Sequence, residues 1–157
     1  MKNFIKIISA AVLAMAILGS CKKENNDTPT PTAPATFFKC TIDGSNWSSN
    51  GANVALDIGS TMQISGTTLT GSSIMLIIQA PFQVGTYIAN PNTMNTFTYV
   101  KGFAGSPYST QEGIGQGTLN ITAISASKIE GTFQFTGENW DGDVKQITAG
   151  SFKTNIQ

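Results

Sequence analysis

The chain has 157 residues, of which 11% are charged, and its formal net charge is zero. It contains no histidine and no arginine. This removes the commonest general base, the commonest zinc ligand, every Ser-His or Cys-His nucleophile pair and the guanidinium forks that hold phosphates. From residue 36 onward five lysines stand against seven acids, so no basic surface for nucleic acid is expected.

Residues 1–20 begin with Lys2 and Lys6, continue with an apolar run from Ile7 to Leu18, and end in small residues. The run is too short for a membrane span, which needs about 20 apolar residues. Its order of basic, apolar and small segments is that of a secretory signal peptide. Leu18-Gly19-Ser20-Cys21 then has the pattern of a bacterial lipobox, which makes Cys21 the lipidated residue. Each buried methylene is worth about 0.8 kcal/mol, so two or more acyl chains hold a protein firmly on a bilayer. Lys22, rather than an aspartate, follows the cysteine, and in lipoproteins that resemble this one that favours the outer membrane. The membrane is therefore an expected partner through the lipid on Cys21, on the periplasmic or the external face of the envelope.

Residues 21–35 read as the lipidated cysteine and a Thr/Pro-rich tether. Asn25, Asn26 and Asp27 cannot build a core, and Thr28-Pro29-Thr30-Pro31-Thr32-Ala33-Pro34 favours extended polyproline II. Fourteen such residues could span up to about 40 Å. The segment serves either as a spacer or as a linker with no length requirement.

From residue 36 to 157 the pattern is β, and one all-β domain is expected. Phe38, Cys40 and Ile42 share a face of a first strand over 36–42, and the turn pair Asp43-Gly44 closes it. Cys40 falls on the apolar face, where a cysteine behaves as a small hydrophobe. Alternation continues through Val54, Leu56 and Ile58, and then through Met62 and Ile64. Ile74-Met75-Leu76-Ile77-Ile78 is apolar on both faces, which predicts a central strand covered on both sides. Brief extended segments follow at 84–88 and 97–100. Residues 101–117 are glycine-rich and predict a loop around a short strand near Tyr108.

The last third is the most regular. Leu119, Ile121 and Ala123 alternate with polar residues, as do Ile129, Gly131, Phe133 and Phe135. A loop from Gly137 to Asp143 leads to a final strand over 144–154, in which Gly150 marks a bulge or a close backbone approach. No helical period occurs after the signal peptide. About nine strands predict a single antiparallel β-sandwich, with an up-and-down β-barrel as the alternative.

Gly117-Thr118-Leu119-x-Ile121-Thr122, Ile129-x-Gly131-Thr132-Phe133-x-Phe135 and Ile147-Thr148-x-Gly150-Ser151-Phe152 resemble a family of small Bacteroidota envelope lipoproteins known as a domain of unknown function. Cys40-Thr41-Ile42-Asp43-Gly44-x-x-Trp47 and Gly85-Thr86-Tyr87 also resemble it. The resemblance implies a lipid-anchored β domain and carries no activity or site residues.

Chemistry-bearing patterns are few. Gly113-x-Gly115-x-Gly117 precedes a strand, whereas a dinucleotide loop must open a helix. Ser125-x-x-Lys128 straddles a turn, whereas an acyl-enzyme pair needs one helical turn. Glu138, Asp141 and Asp143 concentrate oxygens in one loop, which is either a plain turn or a calcium loop; no other cofactor is expected. The same three as a hydrolytic pair would have to flank a bond across a cleft, which one loop seldom allows. Trp47 and Trp140 both stand beside loops, either as plugs of the sheet's end or as platforms on which a sugar ring stacks. The chain is therefore expected to be no enzyme. It reads as a lipid-anchored envelope protein that binds a ligand, a glycan first among them, or alternatively as an accessory protein that docks another envelope protein.

Overall fold

The structure is a computed structural model and describes residues 36–157; the expected signal peptide, Cys21 and the expected tether lie outside the described residues. The described residues form eleven antiparallel strands and no helix. They are β1 (Phe37–Ile42), β2 (Ser45–Ser48), β3 (Asn53–Asp57), β4 (Thr61–Thr67), β5 (Ser73–Gln79), β6 (Gly85–Ala89), β7 (Thr96–Val100), β8 (Pro107–Ser109), β9 (Gln116–Ile124), β10 (Lys128–Glu138) and β11 (Val144–Asn155). The all-β reading thus holds, in the form of a strongly curled half-barrel. Against the strands expected from the alternation, β2 is the addition, because Ser45-Asn46-Trp47-Ser48 carries no apolar alternation to announce it.

The long β10 organises the sheet. One of its edges pairs with β11, which pairs with β1 and through it β2. Its other edge forks. Most of its length pairs with β9, and β9 with β6, while Glu138 at its end pairs with Ser109 of β8 and starts the run β8-β7-β5-β4-β3. The curl brings β3 back to the end of the chain, where Ile156 bridges Ala55 and the Gln157 N–H donates to the Ala55 carbonyl.

Inside the curl, alternate residues make one core. Phe38 sits at its centre, with ring centroids 5.0 Å from Phe133, 5.7 Å from Phe152 and 6.1 Å from Trp47. Gly66 of β4 faces the Phe38 ring, and Gly117 of β9 lies between Phe97 and Phe135. These glycines sit where facing strands approach too closely for a side chain. Ile74, Leu76 and Ile78 of β5 are buried, but Met75 and Ile77 are only half-buried. The strand is central in the sheet and covered on one face, not on two as its composition predicts. Cys40 is in the core.

Gly150 stands where its alternation flags it. A Cβ there would lie 2.5 Å from the Phe133 carbonyl oxygen. The pairing of β10 with β11 slips between Phe133 and Phe135, so that Thr148 and Ala149 bulge out between Ile147 and Gly150. A bulge of this kind bends a strand and re-aims its side chains.

Candidate functional site

The register places several loops at one end of the sheet. Ser73 pairs with Val100, Val100 with Pro107, Ser109 with Glu138, and Glu138 with Val144. The turn 68–72, the loop 101–106 and the hairpin loop 139–143 therefore share an end. Because β1 pairs Phe37 with Lys153 and Ile42 with Ile147, it runs toward that end. The described chain consequently enters the domain at the opposite one.

The loop 139–143 is built around Asn139, which is buried. Its side-chain oxygen accepts the N–H groups of Asp141 (3.1 Å) and Asp143 (2.8 Å). The backbone closes over it through Asn139 N to Asp143 O and Gly142 N to Asn139 O, both 3.0 Å. Asparagine is suited to this role because its short amide can bond its own backbone a few residues on. Gly142, at φ 81°, supplies the left-handed residue that the turn needs. With the loop fixed, Trp140 stands out of it at 79% exposure.

Phe103 is 86% exposed, yet one side of its ring rests on Gly71, where a Cβ would lie 2.5 Å from the ring. The sequence shows it only as an aromatic between Gly102 and Gly105, and its packing partner is 32 residues away. Leu69 and Ile114 are also exposed at this end. Trp47 plays a different part. It is half-buried, packs its ring at 84° against Phe38, and donates its indole N–H to Ser72 Oγ (3.1 Å); Ser72 donates in turn to the Val100 carbonyl. It braces the turn on which Phe103 rests.

The acids of the calcium reading are used separately. The Glu138 carboxylate turns toward residues 113–114 and accepts the Ile114 N–H at 2.9 Å. Asp141 and Asp143 contribute backbone N–H groups to the Asn139 bracket. Among the described residues, no group of three or more His, Cys, Asp or Glu is gathered in a way that could hold a metal ion.

Asp43 at the tip of the β1–β2 turn accepts the Gln146 N–H at 2.9 Å and the Lys145 ammonium at 2.6 Å. The backbone N–H first, and Lys145 second, hold its carboxyl below the ordinary aspartate range, and Asp43 raises Lys145 in return. Lys145 also lies over the Tyr108 ring, which stacks on Tyr99. Burial pushes the Cys40 thiol up to about 12, the opposite of what an activated nucleophile requires.

The chain belongs to the family described as Domain of unknown function (DUF6252), whose model matches residues 34–155. No curated protein and no solved structure matches it.

Proposed function

We propose that this member of the family is a lipid-anchored, non-catalytic module of the bacterial cell envelope that binds glycan at the loop end of its sheet. The observation that carries the reading is Trp140: a large aromatic ring held out into solvent by a loop whose shape a buried asparagine fixes. An aromatic presented on a rigid loop has little motion left to lose when a ring stacks on it. Phe103 on Gly71 supplies a second ring at the same end. The lipobox at Cys21 supplies the anchor, and Lys22 favours the outer membrane.

The test is a titration of tryptophan fluorescence in the mature chain carrying Cys21→Ser, against a panel of envelope and plant polysaccharides with and without calcium. Trp47→Phe leaves Trp140 as the sole indole reporter. A saturable shift in that variant, together with loss of retardation by the same polysaccharide in affinity electrophoresis of Trp140→Ala, supports the reading. A calcium-dependent shift would bring Asp141 and Asp143 into the site. Absence of any saturable shift refutes glycan binding at this end and favours the second reading, docking of a protein partner, for which the exposed Leu69 and Ile114 speak.

A further inference from the structure

We propose that the outer face of β9, β10 and β11 carries a second, elongated subsite that takes an uncharged polysaccharide strand; this rests on the reading of the protein as a glycan binder and names the class of glycan. Two rungs cross the strands in register. Ile88, Thr118 and Gln134 make one; Gln116, Thr136 and Gln146 make the other. Their side chains line a hollow of about 340 Å³, and a second hollow of about 400 Å³ adjoins it across Thr118 and Gln134, which border both.

The bulge in β11 shapes this face. Thr148 borders the first hollow and Ala149 the second. Ala149 is held at φ 51°, a left-handed conformation that alanine rarely adopts and that the fold retains next to the groove. Thr148 is fixed in turn by Thr41, with 2.7 Å between their hydroxyls.

The side-chain amides of Gln116, Gln134 and Gln146 make no hydrogen bond among the described residues, whereas Gln79 and Gln111 bond backbone carbonyls. An unpaired amide offers two donors and an acceptor, which matches the mixed character of sugar hydroxyls. The lining holds no charged side chain, and on the same face Glu130 is neutralised by Lys153 at 2.6 Å. An anionic polysaccharide would find no cation lining either hollow, only Lys39 at the rim, opposite Ser151 and over the Phe37 ring, and an apolar peptide would find little beyond Ile88. The complementary partner is a neutral chain rich in hydroxyls, lying across the strands.

The experiment measures binding of the mature Cys21→Ser chain to four neutral polysaccharides (dextran, mannan, laminarin and xyloglucan) and to polygalacturonate, by calorimetry and affinity electrophoresis. The variants are Gln134→Ala with Gln146→Ala, Gln134→Glu, and Trp140→Ala. All are at exposed positions, and their melting temperatures are checked against the parent. Two lost hydrogen bonds weaken binding of a neutral polysaccharide about tenfold or more, and Gln134→Glu weakens it comparably; that result supports the subsite. Neutral binding that falls only in Trp140→Ala overturns the subsite and leaves the module reading intact. Binding of polygalacturonate alone overturns the neutral subsite. No binding to any of the five overturns both.

Discussion

Gly66→Ala probes the closest approach in the core. The glycine lies in β4 directly over Phe38, and an added Cβ would stand 2.6, 2.8 and 2.9 Å from Phe38 Cγ, Cβ and Cδ1. Ordinary carbon contacts are about 3.5–4.0 Å, so one side must retreat by roughly 1 Å. The atoms met are the stem of Phe38, not a flexible tip, and behind the ring stand Phe133, Phe152 and Trp47. Overpacking of this kind costs about 1–3 kcal/mol. The backbone of Gly66 is outside the left-handed region, so alanine recovers about 0.4–1 kcal/mol by restricting the unfolded chain. The net expectation is a loss of about 1–2 kcal/mol, or about 4–8 °C in Tm for a domain of this size. Urea unfolding followed by tryptophan fluorescence reads it as a lower midpoint with an unchanged slope. Combining it with Phe38→Leu must recover at least about 0.5 kcal/mol relative to the sum of the single changes, because the two sites touch. A neutral Gly66→Ala, or strict additivity with Phe38→Leu, would refute the steric account.

Asn139→Ala removes the acceptor for two loop N–H groups and is expected to cost about 1–2 kcal/mol, read as a lower Tm, and to weaken any Trp140-dependent binding; an unchanged Tm would show that the bracket is dispensable. Cys40, buried and with its thiol pushed up to about 12, should resist a thiol reagent at pH 8 in the native state and react at the rate of unfolding; fast native labelling would contradict its placement. Asp43 has a folded pKa below its ordinary value, so the unfolded state binds the proton more tightly. Its contribution is present at neutral pH and fades as pH falls below about 4 through the lowered value. Asp43→Asn should therefore flatten the acid limb of the stability profile, and an unaltered limb would show that the contribution is screened away. The unlipidated Cys21→Ser chain should not float with anionic lipid vesicles; flotation would identify the Trp140 end as a membrane-inserting tip.

How much was legible follows from the range of each contact. Strand positions, the inward alternation of Phe133 and Phe135, and the Gly150 approach are local or one register step away, and period-two patterning encodes them. The half-covered faces of Met75 and Ile77 were not legible, because an apolar residue does not say whether another layer exists to cover it. Trp140 and Trp47 look alike in sequence. What separates them is a buried Asn139 in one loop and the distant Ser72 under the other indole. Phe103 is harder still, since its platform is the missing side chain of Gly71. The outer groove depends on a two-residue bulge, and bulge geometry has no compositional mark beyond the glycine that follows it.

The arrangement of charge around these features separates the tasks the fold could perform. Asp141 and Asp143 follow Trp140 along the chain, and Glu138 leads into the loop. Exposed carboxylates beside an aromatic tip oppose approach to an anionic bilayer, yet they leave a neutral sugar ring free to stack. Down the outer face, the amides of Gln116, Gln134 and Gln146 stand on strands whose inward neighbours Leu119, Phe135 and Ile147 are buried in the core. The backbone of the polar rungs is therefore held by the core behind it, while ordering each exposed amide on a ligand costs about 0.5–1.5 kcal/mol. A tip flanked by carboxylates and a groove lined without charge are both consistent with the neutral glycan proposed above, and both stand on the part of the sheet that β10 holds together.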